Sequence, residues 1–224
     1  MPGLDGSGDL FDGLLRELGA SVDTEVLRYP RSASAFEKLA PMATRAFSES
    51  SPVVVVAESF STPFAIEITA GHQREIHALV LCNGFATNPL SGFESLMASL
   101  LTPWLFRLPV TDLTARTFLV GRDTSAELVH AIKRAVLPIK PAVLCARLNA
   151  VLNCDARQAL RQITVPVLYL QATRDRLIGP SSLELIRRIK PDIIVERIDG
   201  PHLLLQKEPK RCAEIILRFL DRIE

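Results

Sequence analysis

The sequence predicts an α/β protein: a mainly parallel sheet flanked by helices, with a helical insertion. Two observations carry that prediction. Short apolar or β-branched runs alternate with helical patterns along most of the chain, and the runs are continuous, as in strands buried on both faces. Residues 86–160 break the rhythm, with five prolines set among amphipathic stretches such as Ser125 to Val136. Structureless loops beyond roughly 15 residues are uncommon, so this stretch reads as a helical cap inserted between two strands. Residues 1–85 and 161–224 then form the core, and residues 86–160 the cap.

Taken in order, glycine-rich Gly3 to Gly8 leads into a helical pattern at Asp9 to Leu18, with Gly19 as its stop. Val22 to Tyr29 reads as a strand and Ser34 to Phe47 as a helix. Pro52 to Ala57 is a β-branched run, followed by a helix from Ser61 to Ala70 in which Pro63 falls in the tolerant first turn. Ile76 to Cys82, Val165 to Gln171 and Ile193 to Ile198 read as further buried strands. Ser181 to Ile189 and Arg211 to Ile223 read as helices, the second with Ile215, Ile216, Phe219, Leu220 and Ile223 on one face.

Composition narrows the function classes. Hydrophobic residues make up 48% of the 224 residues, enough for one buried core. Lys and Arg number 26 against 25 Asp and Glu, so no bulk field favours nucleic acid or anionic lipid. Apolar runs fall far short of the roughly 18 residues of a membrane span, and the acidic, glycine-rich start is no secretory signal. The expected address is cytoplasmic. Cys82, Cys145, Cys154 and Cys212 lie far apart without metal-ligand or disulfide-framework spacing and read as reduced thiols.

Three segments could carry chemistry. Ser59, in Ala57-Glu58-Ser59-Phe60-Ser61, follows the Val53 strand directly and precedes a helix. A sharp strand-to-helix turn lifts a serine hydroxyl above a sheet and demands small residues two positions to either side. Here those are Ala57 and Ser61 instead of glycines, which weakens the motif taken alone. Asp175 follows the Val165 strand and His202 follows the Ile193 strand, so both loops emerge at the carboxyl edge where open α/β sheets build sites. A serine hydroxyl needs an imidazole to take its proton, and the imidazole needs a carboxylate to orient it. The resulting oxyanion needs backbone N–H donors. Phe60, just after the serine, and Leu4, in the glycine-rich loop, are the candidates. The Gly3 to Gly8 spacing fits neither G-x-G-x-x-G nor a P-loop.

Pro2-Gly3-Leu4-Asp5-Gly6-Ser7-Gly8, Ala57-Glu58-Ser59-Phe60-Ser61 and Gly200-Pro201-His202-Leu203-Leu204-Leu205-Gln206 together resemble the α/β-hydrolase superfamily, nearest a bacterial carboxylesterase-like branch. The resemblance spans nearly the whole chain. It implies an eight-stranded core under a helical cap, Ser59 as nucleophile, Asp175 as acid, His202 as base, and Leu4 and Phe60 as the oxyanion hole. It further implies an N-terminal hairpin and a central strand ahead of the Pro-Gly loop, and this chain starts at Met1, inside that loop. The expectation is therefore a sheet lacking those N-terminal strands. Such a sheet pairs the Val22 and Val53 strands directly, leaves an edge open, or borrows a strand from a second copy as a homo-oligomer. Leu4 would then rest on an untethered terminus.

The expected activity is hydrolysis of a small carboxylic ester of short to medium acyl chain through an acyl-serine, with no cofactor or metal. Thioester or carbon–carbon bond hydrolysis on the same residues, or a non-catalytic binding protein of the same fold, stay open. His72, Glu75 and His77 match no zinc motif and read as a solvated turn. Trp104, Leu105 and Phe106 read as the core of the insertion ahead of an acyl pocket. Asp112 and Asp155 are reserve acids, Arg157, Arg161, Arg187 and Arg188 solvate helix faces, and Glu58 has no assigned role.

Overall fold

The computed structural model describes residues 1–19, 22–33, 36–49, 52–90 and 111–223. Four strands, β1 (Val53–Glu58), β2 (Ile76–Cys82), β3 (Val167–Ala172) and β4 (Ile194–Ile198), form one parallel sheet in chain order. Parallel neighbours need crossover connections. The helix Thr62–Gly71 links β1 to β2, and Pro180–Ile189 links β3 to β4.

The two-residue period of the strands splits their side chains between two cores. Val55, Ala57, Leu79, Leu81, Val167 and Tyr169 face a core shared with Phe64, Ile66, Leu160, Leu183 and Ile186. Ala78, Val80, Cys82, Leu168, Leu170 and Ala172 face the opposite core, closed by Leu14 and Leu18 of the helix Asp12–Leu18 and by Ile215, Ile216 and Phe219 of Pro209–Ile223. Ile66, Leu79, Val80 and Leu81 are fully buried, each contributing about 1.5–3 kcal/mol by removal from water. Helices thus cover both faces. None of the four cysteines is in a disulfide; Cys82 and Cys212 are buried, and Cys145 and Cys154 half-buried.

One expectation needs correction. Val22 to Tyr29 pairs with no strand among the described residues. A β-branched run fits a pleated surface, yet it becomes a strand only where a neighbour offers a ladder. Its backbone turns instead to the glycine-rich loop: Tyr29 N–H donates to the Gly6 carbonyl (2.8 Å), and the Arg28 guanidinium donates to the Ser7 carbonyl (2.6 Å) and pairs with Asp9. The sheet holds four strands among the described residues. Among the described residues, β1 pairs on its outer side with a single one. Met1 N donates to the Val56 carbonyl (2.7 Å) and Glu58 N–H donates to the Met1 carbonyl (3.2 Å), which is one rung of a parallel ladder. At the far edge β4 carries Glu196 and Arg197, charges of the kind that discourage edge-to-edge pairing.

Between β2 and β3, the described residues are mostly helical. Asp112–Thr114 runs into a π-helical segment, Ala115–Val120, followed by helices Ala126–Val136, Pro141–Leu152 and Arg157–Gln162. Ser125 caps Ala126–Val136 by accepting from Leu128 N–H (3.3 Å). Ala115, Val120, Val129 and Ile132 form a small core that closes on Leu203, beside His202. Leu203 N–H also donates to the Leu119 carbonyl (2.8 Å). Trp104, Leu105 and Phe106 lie outside the described residues. No single described helix is long and apolar enough to cross a membrane.

Candidate active site

The turn after β1 is tight enough to force Ser59 to φ 46°, the left-handed region that a residue with a Cβ avoids. Such a backbone costs of order 1–3 kcal/mol and persists only where its surroundings over-determine it. Here Thr62 does so: its hydroxyl donates to the Ser59 carbonyl (2.7 Å), and its oxygen accepts from Phe85 N–H (3.0 Å). Both flanking positions are fully buried, Ala57 in the sheet and Ser61 in the turn.

His202 and Asp175 meet Ser59 as their positions after β4 and β3 predict. The Ser59 hydroxyl lies 2.9 Å from His202 Nε2, and His202 Nδ1 lies 2.7 Å from Asp175 Oδ2. Leu177 N–H (2.7 Å) and Ile178 N–H (3.0 Å) donate to Asp175 Oδ1. That leaves Oδ2 to accept from Nδ1–H, so Nε2 is the nitrogen free to accept the serine proton. The His202 and Asp175 side chains are both 5% exposed, so water competes little for these bonds. Asn83 fixes the histidine loop. Its Nδ2 donates to the His202 carbonyl (2.6 Å) while its Oδ1 accepts from Ala172 N–H (2.7 Å), the last residue of β3.

The loop carrying Leu4 is tied down, against the expectation of an untethered terminus. Ser61 donates to the Pro2 carbonyl and sits 2.5 Å from the Tyr29 hydroxyl, which donates to it. The departure from glycine at position 61 is thus what holds this loop to the serine turn. Arg147, on helix Pro141–Leu152, is buried and spreads its guanidinium over four backbone carbonyls. Its Nη1 donates to Leu4 (2.8 Å) and Asp5 (2.9 Å), its Nε to Ala33 (3.0 Å) and its Nη2 to Pro30 (3.1 Å). Burial lowers the Arg147 pKa, offset by attraction to Asp5 and Tyr29, and a guanidinium stays charged at any physiological pH. Gly6 makes room for it: at φ 68°, any Cβ there would sit 2.7 Å from Arg147 Nη1.

Glu58 is buried beneath this loop, with its Oε2 3.4 Å from where a Cβ on Gly3 would stand. Burial pushes its pKa up to about 7, against the pull of His202 and a hydrogen bond from Gln206 Nε2 (3.2 Å). Glu58 Oε1 and Gln206 Oε1 have no hydrogen-bond partner among the described residues, and a proton on Glu58 turns one of these acceptors into a donor.

Sequence reasoning missed Arg147 and Asn83. The one signal for Arg147 is its place in the apolar stripe Leu144, Leu148, Val151 at helical spacing. Asp112 and Asp155 stay apart from the histidine, paired with Lys133 and Arg157 respectively. Among the described residues no group of three His, Cys, Asp or Glu could hold a metal, and His72 sits against Phe47 (5.9 Å between centroids).

No family model matches the chain. Over 105 residues it is 33% identical to the pimeloyl-[acyl-carrier protein] methyl ester esterase of Methylococcus capsulatus; the match covers 45% of this chain and 41% of that protein. Among solved structures, a hydrolase from Oleispira antarctica superposes with a TM-score of 0.83 at 16% identity, covering 98% of this chain and 88% of that one. An esterase from Exiguobacterium antarcticum superposes with a TM-score of 0.81 at 13% identity, covering 99% and 90%. At those identities the likeness shows architecture: the chain has the α/β-hydrolase fold.

Proposed function

We propose that this chain is a serine hydrolase that cleaves carboxylic esters through an acyl-serine intermediate. The observation that carries the reading is the hydrogen-bond relay Ser59–His202–Asp175, with Ser59 held at positive φ. Ser59 Oγ attacks the ester carbonyl as its proton passes to His202 Nε2. Asp175, itself held by two backbone N–H groups, stabilises the imidazolium. The N–H groups of Phe60 and Leu4 receive the oxyanion, each donor worth about 2.7–4 kcal/mol at such a site. Collapse breaks the bond to the alkoxy oxygen, which leaves as alcohol with the proton from His202. Water then gives a proton to His202 and attacks the acyl-serine, releasing the acid and restoring Ser59. The sequence of steps consumes only ester and water.

A methyl ester is the substrate named for the curated relative, and a simple ester of short to medium acyl chain is the class proposed here. The fold alone does not choose among esters, thioesters and carbon–carbon bonds. Initial rates on p-nitrophenyl acetate and butyrate, set beside acyl-CoA thioesters of equal acyl length, test the choice. The reading expects kcat/KM for the oxygen esters to exceed that for the thioesters. Preference for the thioesters, or no turnover of either by folded protein, would overturn it.

A further inference from the structure

Four arginines converge on one cavity beside the loops that carry Asp175 and His202. It has a volume of ≈ 320 Å³ and is lined by Arg116, Arg122, Arg174 and Arg176, with Asp123 and Pro201 at its wall. Three separate stretches of chain supply it. Arg116 lies in the π-helical segment Ala115–Val120, and Arg122 just past its end. Arg174 and Arg176 flank Asp175 after β3, and Pro201 precedes His202. Ser59, Asp175 and His202 do not line it.

The charges are only partly matched. Arg174 Nε pairs with Asp199 (2.8 Å), and Asp123 pairs with Lys207 (3.3 Å). Among the described residues no carboxylate pairs with Arg116, Arg122 or Arg176. Arg116 is instead fixed by two carbonyls, donating from Nη1 to Arg122 (3.1 Å) and Thr124 (2.5 Å), and among the described residues its Nε and Nη2 donate to no protein group. Arg176 Nη1 reaches the Thr117 carbonyl at 3.5 Å. Four guanidiniums against one lining carboxylate repel one another, and a bound anion relieves that repulsion. Guanidinium forks match the oxygens of phosphate, and a dianion answers this excess of positive charge better than a carboxylate. The volume sits at the small end of ligand sites, about 300–1,000 Å³, with room for a phosphoryl group and a few attached atoms.

We propose that this cavity binds a phosphoryl group, carried either by inorganic phosphate or by the phosphomonoester end of a larger molecule. The site shares no atom with the serine relay, so it stands whether or not the chain hydrolyses esters. Calorimetric titration of the full chain with inorganic phosphate, phenyl phosphate and acetate at matched ionic strength tests it. Saturable phosphate binding is expected, tighter than acetate and retained in Ser59→Ala. The double variant Arg122→Gln/Arg176→Gln should weaken it by at least about tenfold. Both side chains are exposed. Arg122→Gln alone, which removes no side-chain hydrogen bond among the described residues, repeats the test if the double variant does not fold. Competition by phenyl phosphate identifies the phosphomonoester as the ligand, and phosphate binding without it identifies the free ion. No saturable binding below about 10 mM, equal affinity for acetate, or phosphate binding unchanged in the arginine variants would overturn the proposal.

Discussion

The two sides of the site are held in place by different means. Asp175 and His202 stand in loops that leave β3 and β4 directly, and backbone bonds join those loops: Thr173 N–H to the Ile198 carbonyl and Arg174 N–H to the Gly200 carbonyl, both 3.0 Å. Among the described residues, the loop with Leu4 has backbone bonds to other segments only at Met1, which pairs with β1, and at Gly6, whose carbonyl accepts from Tyr29 N–H. Between those points side chains remote in sequence hold it, with Ser61 and Tyr29 on one side and the Arg147 guanidinium on the other. Backbone tethers survive most substitutions, whereas a side-chain tether fails with one. The Leu4 side should therefore be the mutationally fragile one, apart from the reacting groups themselves.

The groups proposed to react set the upper limit. Ser59→Ala or His202→Ala should lower kcat/KM on p-nitrophenyl butyrate by at least about 10⁴-fold while leaving melting nearly unchanged. Next comes Arg147→Met, which strips the donor from four carbonyls. It should cut kcat about 10–100-fold with little change in KM, because the oxyanion donor proposed at Leu4 slackens while the rest of the proposed site stays. It should also destabilise the fold by about 2–4 kcal/mol. An unchanged kcat in a folded Arg147→Met protein would erase the contrast between the two sides.

Glu58 lies between those sides and gives the comparison a pH axis. Its carboxyl titrates near 7 in the folded chain against 4.5 for the ordinary group. The folded state therefore holds that proton more tightly. The resulting stabilisation is complete below pH 4.5 and is lost as pH rises toward 7. Across that window the wild type should lose of order 1–3 kcal/mol relative to Glu58→Gln, read as urea midpoints at each pH. A constant difference between the two proteins would contradict this. The smallest effect belongs to Ser61→Gly, which restores the commoner small residue but removes the link to Pro2. It should cost about 1 kcal/mol and lower kcat only a few-fold, with a matching change absent in Ala57→Gly.

The same division explains what could be seen in the sequence. Ile76–Cys82 was legible to the residue because, His77 apart, it is an apolar run bounded by Glu75 and Asn83. The meeting of Ser59, Asp175 and His202 was legible because each follows a strand, and parallel strands deliver their loops to one edge. Val22 to Tyr29 misled because β-branched composition reports the surface a residue fits and not whether a neighbouring strand exists. Arg147 stayed hidden because its partners are carbonyls of Leu4, Asp5, Pro30 and Ala33, which any side chain could accompany. Ser61 counted against the motif in sequence, and only its bond to Pro2 reveals why a hydroxyl suits that position.

A fluorophosphonate probe followed by peptide mapping tests the central claim most directly, since it reacts only with a serine whose proton has an acceptor in place. The account predicts one adduct, on Ser59, in the wild type, and none in Ser59→Ala or His202→Ala. A folded wild type that takes up no probe, or that carries it on another serine, would contradict the account.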